Sequence, residues 1–190
     1  MGGHADRIRL AVTGSVAIAP PRTVGPTSAT SKLSAVWKHV GFISDAGITE
    51  SVKGDPSEIV PWRSSRVART SPGVVGVEYK FTMLETNAVA LKAFYGGGSG
   101  WEGDSWHHLQ PEYSVPVSVV CTMIDGDHVT RRWVPSGVFQ ATGDVEFTTG
   151  APSAYEVTLT AFPVKDYMGD GRLSRAVAFY SEPIPDGDVA

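Results

Sequence analysis

Cysteine is almost missing from this chain. The lone thiol, Cys121 among 190 residues, excludes an intramolecular disulfide or a thiolate metal cluster and points to a reducing compartment. Basic residues are not in excess either. Sixteen Lys and Arg face 20 Asp and Glu, a net charge of -4, so no sequence-wide surplus exists to neutralise phosphates in a tight nucleic-acid complex. No run approaches the roughly 20 apolar residues of a membrane-spanning helix. The N-terminus also lacks the basic, apolar and small-residue succession of a secretory signal. A soluble protein made in the cytoplasm is expected. The G-x-S-x-G elbow, the H-E-x-x-H pair and the P-loop are missing too, as is any internal repeat. Nothing in the residues argues for an enzyme or a cofactor.

What is present is β signal broken by turns. Hydrophobic residues make up 42% of the chain, with 21 Gly and 13 Pro, a composition that suits one domain of many short elements spanning residues 1–190. Ile8, Leu10 and Val12 alternate with Arg7, Arg9 and Ala11, and Val16 with Ile18 resumes the pattern, which predicts an N-terminal strand. Ser31 is placed to cap a short helix carrying Leu33, Val36 and Trp37. A second strand is expected from Ile48 to Val52. The clearest alternation sets Val75, Val77, Tyr79, Phe81 and Met83 on one face, against Glu78, Lys80 and Thr82 on the other. Thr86 or Asn87 then caps a helix of two to three turns that Gly96 stops. The last third is nearly all strand pattern. Val115 to Met123 turns at Asp125-Gly126-Asp127 into Val129, Arg131 and Trp133, followed by Val145 with Phe147, by Tyr155 to Ala161, and by Arg175 to Tyr180. The fold class is therefore mainly β (α+β), an antiparallel β-sandwich or barrel with one principal helix packed on it.

Two tracts do not fit that scheme. Residues 53–74 combine Pro and Gly with Ile59, Val60, Trp62 and Val67, and a connection this long inside one domain is more often functional than idle. Residues 96–114 are Gly-rich and carry Trp101, Trp106, His107 and His108, the pattern of an exposed loop with adhesive side chains. Within it, Gly98-x-Gly100-x-x-Gly103 formally matches a dinucleotide-binding turn, but a helix precedes it and none follows. Adjacent His107 and His108 near Asp104 rarely aim at one ion, and Asp125, Asp127 and His128 are explained by hairpin turn chemistry. Cys121, inside an alternating strand, reads as a buried and inert thiol. Trp62, Trp101, Trp106 and Trp133 suit subunit contacts better than a stacking platform for sugars or bases, because interface cores concentrate aromatics.

Two longer stretches carry a resemblance. Val36-Trp37-Lys38-His39-Val40-Gly41-Phe42-Ile43-Ser44-Asp45-Ala46-Gly47-Ile48-Thr49-Glu50-Ser51, and Glu78-Tyr79-Lys80-Phe81-Thr82-Met83-Leu84-Glu85-Thr86-Asn87 with its helix to Tyr95-Gly96, resemble the major tail tube proteins of long-tailed, siphovirus-type phages of actinobacteria. The opening Gly14 to Pro20 and the spacing Asp55-x-x-Glu58-Ile59-x-x-Trp62 are similar to the same family. The likeness covers residues 10–96 strongly and the remainder in architecture alone.

The resemblance implies the tail tube fold and a structural subunit of the virion tail, made in the host cytoplasm. Such subunits form hexameric rings that stack around a lumen through which double-stranded DNA passes without specific binding. The partners it implies are further copies of the chain, a tape measure protein, a tail terminator and a distal tail protein. Residues 53–74 would form an inter-ring stacking loop, with Asp55 in the matching motif, Ile59, Trp62 and Val67 as anchors, and Arg63, Arg66 and Arg69 meeting acidic groups on the next ring. A merely solvated loop is the competing reading. Strand alternation suggests Glu78, Asp144 and Glu146 as lumen-facing acids. Other classes to weigh are a secretion-system or contractile-tail tube protein of similar fold, a monomeric carbohydrate-binding β-sandwich and a hydrolase.

Overall fold

A computed structural model describes residues 8–54, 57–60, 62, 66, 69–71, 76–97, 99–107, 115–165 and 173–181. In chain order the elements are β1 (Thr13–Ala19), β2 (Lys38–His39), β3 (Ile43–Lys53), β4 (Ser57–Ile59), β5 (Arg69–Ser71), β6 (Gly76–Met83), α1 (Ala88–Tyr95), β7 (Gly100–Glu102), β8 (Ser105–His107), β9 (Val117–Asp125), β10 (His128–Ala141), β11 (Tyr155–Ala161), β12 (Val164–Lys165), β13 (Leu173–Ser174) and β14 (Val177–Tyr180). The expected mainly β, antiparallel architecture with one principal helix is what forms.

One eight-stranded antiparallel sheet dominates, seven strands in the order β2-β1-β9-β10-β11-β6-β3 and the eighth, β14, branching off β10. The fourteen-residue β10 changes partner along one edge. Thr130 to Trp133 pair with β14, and Gly137 to Ala141 pair with β11. The switch falls where the register with β9 slips between Val134 and Gly137, around Pro135, which cannot donate to a ladder. There the sheet folds over, so that β1, β9 and β10 enclose a common core with β11, β6 and β3. Val16, Tyr79, Phe81, Met83, Val119, Cys121, Val134, Val157 and Leu159 fill that core, and Ala90, Leu91 and Ala93 of α1 close one side. Burying an aliphatic side chain of this kind contributes about 1.5–3 kcal/mol.

A second, smaller core lies on the other face of β1, β9 and β10. Ala17, Ala19, Val120 and Trp133 are covered there by Trp37 and Leu33 from the β1–β2 connection. Trp133 Nε1 donates to Ser118 Oγ at 3.1 Å, and that hydroxyl donates to Val134 O at 3.1 Å, so both polar groups are satisfied in the buried interior. Residues 118–122 of β9 are therefore buried on both faces.

Several expectations need correcting. The N-terminal strand begins at Thr13, and Ile8, Leu10 and Val12 form an extended arm that is 68%, 67% and 75% exposed. No helix follows Ser31. Its hydroxyl accepts from the Thr27 and Ser28 amides, Ser28 Oγ accepts from the Ser31 amide, and Arg131 Nη1 donates to Ser31 O at 2.6 Å, which fixes a turn in place of a helix. The strand expected from Ile48 starts earlier, at Ile43, and bends at Gly47, whose φ is +71°. Val145 and Phe147 are not in a strand. Gly143, Gly150 (φ +98°) and Pro152 interrupt residues 142–154.

Candidate assembly surface

The two sequence stretches that carry the resemblance meet in space. Gly41 has φ +90°, a conformation that strains any residue with a side chain, and a Cβ there would stand 2.2 Å from the Glu85 carboxyl carbon and displace that carboxylate. Phe42 N donates to Glu85 Oε1 at 2.8 Å, and Leu84 N donates to Phe42 O at 2.9 Å. Asn87 completes the lock. Its Oδ1 accepts from Val89 N at 3.0 Å and Ala90 N at 2.9 Å as the helix N-cap, while Nδ2 donates to Val40 O at 2.8 Å. Gly96 (φ +97°) ends α1, its N–H donating to Lys92 O. This junction seats β3 beside β6 and sets α1 against the core.

Pairing register then defines a polar sheet face. Thr49, Ser51 and Lys53 of β3 stand opposite Lys80, Glu78 and Gly76 of β6, and Thr82, Lys80 and Glu78 stand opposite Glu156, Thr158 and Thr160 of β11. Because opposed residues share a side, these side chains cover the face turned away from the core. Its charges are paired within the face. Lys53 Nζ lies 2.6 Å from Glu78 Oε2, and Lys80 Nζ lies 3.0 Å from Glu156 Oε1. Among these opposed positions the remaining polar groups are hydroxyls. Glu78 thus lies where alternation put it, but as half of an ion pair. Asp144 and Glu146 are exposed in the irregular β10–β11 connection, so the strand alternation that suggested them does not exist.

On the core side of β3, Glu50 makes a different connection. Its Oε2 accepts from Arg132 Nε at 2.9 Å, and Tyr79 Oη donates to its Oε1 at 3.3 Å. Burial pulls the Arg132 pKa down, but the hydrogen bond and charge of Glu50 outweigh it and leave it raised; Tyr180, under the guanidinium at 5.3 Å, adds to the effect. This link ties β3 across the interior to β10. Beyond it, β3 is the last strand on its side of the sheet, so its outer edge has no strand partner among the described residues.

Residues 53–74 contain more order than a loop. β4 and β5 pair as a two-stranded ribbon, with Ile59 opposite Arg69. Trp62 is fully exposed and Arg66 is exposed. Asp55, Arg63 and Val67 lie outside the described residues. The Gly-rich tract is also partly ordered. β7 and β8 form a hairpin turned by Gly103 (φ +64°), with Trp101 and Trp106 edge to face at 5.4 Å. Trp106 packs on the main core and Trp101 stays 59% exposed. Trp133, 4% exposed in the second core, is unavailable as part of any surface platform. His107 pairs with Glu102 at 3.4 Å, and among the described residues no three His, Cys, Asp or Glu gather around a metal position. No described helix is long and apolar enough to cross a membrane. Cys121 is buried, and desolvation first, then the Glu50 charge, push its thiol up to about 12.

The family model described as phage tail tube protein matches residues 1–169. The chain belongs to the phage tail tube proteins. The comparison with curated proteins gave no match. Among solved structures, a chain of the cryo-EM structure of the anti-feeding prophage (AFP) baseplate, 6-fold symmetrised, is similar over 94% of this chain and 97% of that one. Identity is 11% and the TM-score 0.39, a likeness too slight to fix fold or function. As a tail tube protein, the chain is a structural component of the virion tail. The Gly41–Glu85–Asn87 junction and the self-neutralised face lie inside the matched span.

Proposed function

We propose that this tail tube protein forms the wall of a long, non-contractile tail of the siphovirus type found on phages of actinobacteria. Copies close into hexameric rings, rings stack into a tube, and double-stranded DNA passes through the lumen into the host. The subunit acts by polymerising and carries out no catalytic step. It is made in the host cytoplasm and meets a tape measure protein, a terminator and a distal tail protein in the finished tail.

The observation that carries this reading is the polar face of β3, β6 and β11 beside the outer edge of β3, which has no strand partner among the described residues. An open edge is a template for a strand of the next subunit, and joining edges around a ring removes them all. The face so continued presents hydroxyls and carboxylate-paired lysines to the lumen. Phosphates gain little from a lysine already held by a carboxylate, so DNA slides past without the counterion release that drives binding. Glu78 serves here by occupying Lys53, and Asp144 and Glu146 add exposed negative charge nearby. Between rings, the β4–β5 segment contributes fully exposed Trp62 to the stacking contact, with Ile59 and Arg69 on the ribbon, Arg66 in its connection, and Asp55, Arg63 and Val67 in the same stretch.

Sedimentation velocity over a concentration series tests the ring. A species of six subunit masses, growing to larger stacks as concentration rises, is the expected result. A monomer that remains a monomer and binds a glycan through Trp101 contradicts it.

A further inference from the structure

The two ends of the main sheet carry complementary apolar features. At one end, a groove of about 760 Å³ opens between α1 and the strand termini, lined by Val36, Val89, Phe94, Val115, Pro116 and Phe139. The end of β1, the start of β9 and the end of β10 meet there. At the other end lies the arm before β1. Leu10 N donates to Asp125 Oδ2 at 2.8 Å and Val12 N donates to Ile124 O at 3.0 Å, which pins the arm beside the β9–β10 turn. Residues 8–12 lie in no strand and are exposed throughout, Ile8, Leu10 and Val12 among them. Nine residues of β9 separate the arm from the groove, about 27 Å at the usual rise per residue. The arm therefore cannot fill the groove of its own subunit.

We infer that the exposed arm of one copy, through Ile8, Leu10 and Val12, seats in the groove under α1 of the next copy along the tube. The inference rests on the tube-subunit reading above and adds a second axial contact, distinct from the β4–β5 ribbon. Three observations support a copy of this chain as the occupant. The arm exposes three large apolar side chains, and the groove is mostly apolar and open among the described residues. They sit at opposite ends of one sheet. A contact between two different patches at opposite ends does not close on itself and so propagates as a filament, the form a tail tube takes. Lys38 and Lys92 also line the groove.

Mixing two preparations tests the contact, because only an intermolecular bridge can join them. One carries Leu10→Cys with a size tag, the other Val89→Cys, and a short bis-maleimide is added to assembled material; Cys121 is buried and stays silent. The expected yield of tagged heterodimer is at least tenfold that of Leu10→Cys mixed with Val24→Cys, an exposed control outside the groove. Leu10→Asp should keep the melting temperature of the parent and abolish elongation beyond single rings. A yield equal to the control together with full-length Leu10→Asp tubes overturns the arm contact and leaves the tube reading intact. A peptide of residues 7–13 added to unassembled protein separates the two further. Shifts of the Val89, Lys92 and Val117 amide resonances are expected even if no tube forms, and their absence at millimolar peptide contradicts the inference.

Discussion

Asn87 holds three backbone groups at once, two at the start of α1 and one in the β2–β3 connection. Asn87→Ala removes the cap and strands the Val40 carbonyl, a loss of about 2 kcal/mol in urea unfolding. Asn87→Asp keeps the cap acceptor and loses the donor, so an intermediate loss is expected. Gly25 shows the opposite sensitivity. A Cβ there would fall 2.3 Å from the Trp133 ring, and Gly25→Ala should cost about 1–3 kcal/mol by overpacking the second core. Cys121 and Tyr79 both have folded pKa values above their ordinary 9.0 and 10.0, chiefly through burial. Both are protonated below those values in either state, so their contribution is fully present there. For Cys121 it is lost as pH rises from about 9 through about 12, and for Tyr79 as pH rises above about 10, at about 1.4 kcal/mol per pH unit for each group. Urea midpoints measured between pH 8 and 11 should fall for the parent and fall less for Cys121→Ala. The inert thiol was legible, because an alternating strand implies burial. The contact of Gly41 with Glu85 was not, since nothing local in either segment announces a partner more than forty residues away.

At the scale of elements, alternation located β6, β9, β11 and the β9–β10 hairpin, because one or both of their faces bury a continuous apolar row. The pattern misled where apolar residues bury without regular structure. Leu33 and Trp37 reach the second core from a serine turn, and Ile8, Leu10 and Val12 repeat every second residue without being covered. The β4–β5 ribbon is too short for any period to show. Among the candidate site residues, Glu78 lies on the polar face that alternation implied, but its pairing with Lys53 required knowing the register of β3. That pairing makes a prediction about the face as a whole. Glu78→Gln with Glu156→Gln frees Lys53 and Lys80, so assembled double-variant material should retain double-stranded DNA at low salt and release it as salt rises. The parent should retain none, and each broken pair should change stability by no more than about 1 kcal/mol because both are partly solvated. Replacing residues 57–71 by a Gly/Ser linker should leave folded subunits that form rings and fail to stack.

For the molecule as a whole, the proposed assembly rests on the outer edge of β3, which has no strand partner among the described residues, on the exposed Trp62, and on the exposed arm and the apolar groove. The family could be read from two stretches in order, whereas the assembly surfaces needed the sheet to be folded before they became surfaces. Negative-stain electron microscopy of purified protein across a concentration series tests the central claim most directly. Rings at low concentration that lengthen into hollow tubes of constant width are the predicted result. Particles that stay single at every concentration, with neither rings nor tubes even when added to growing tails, would contradict it.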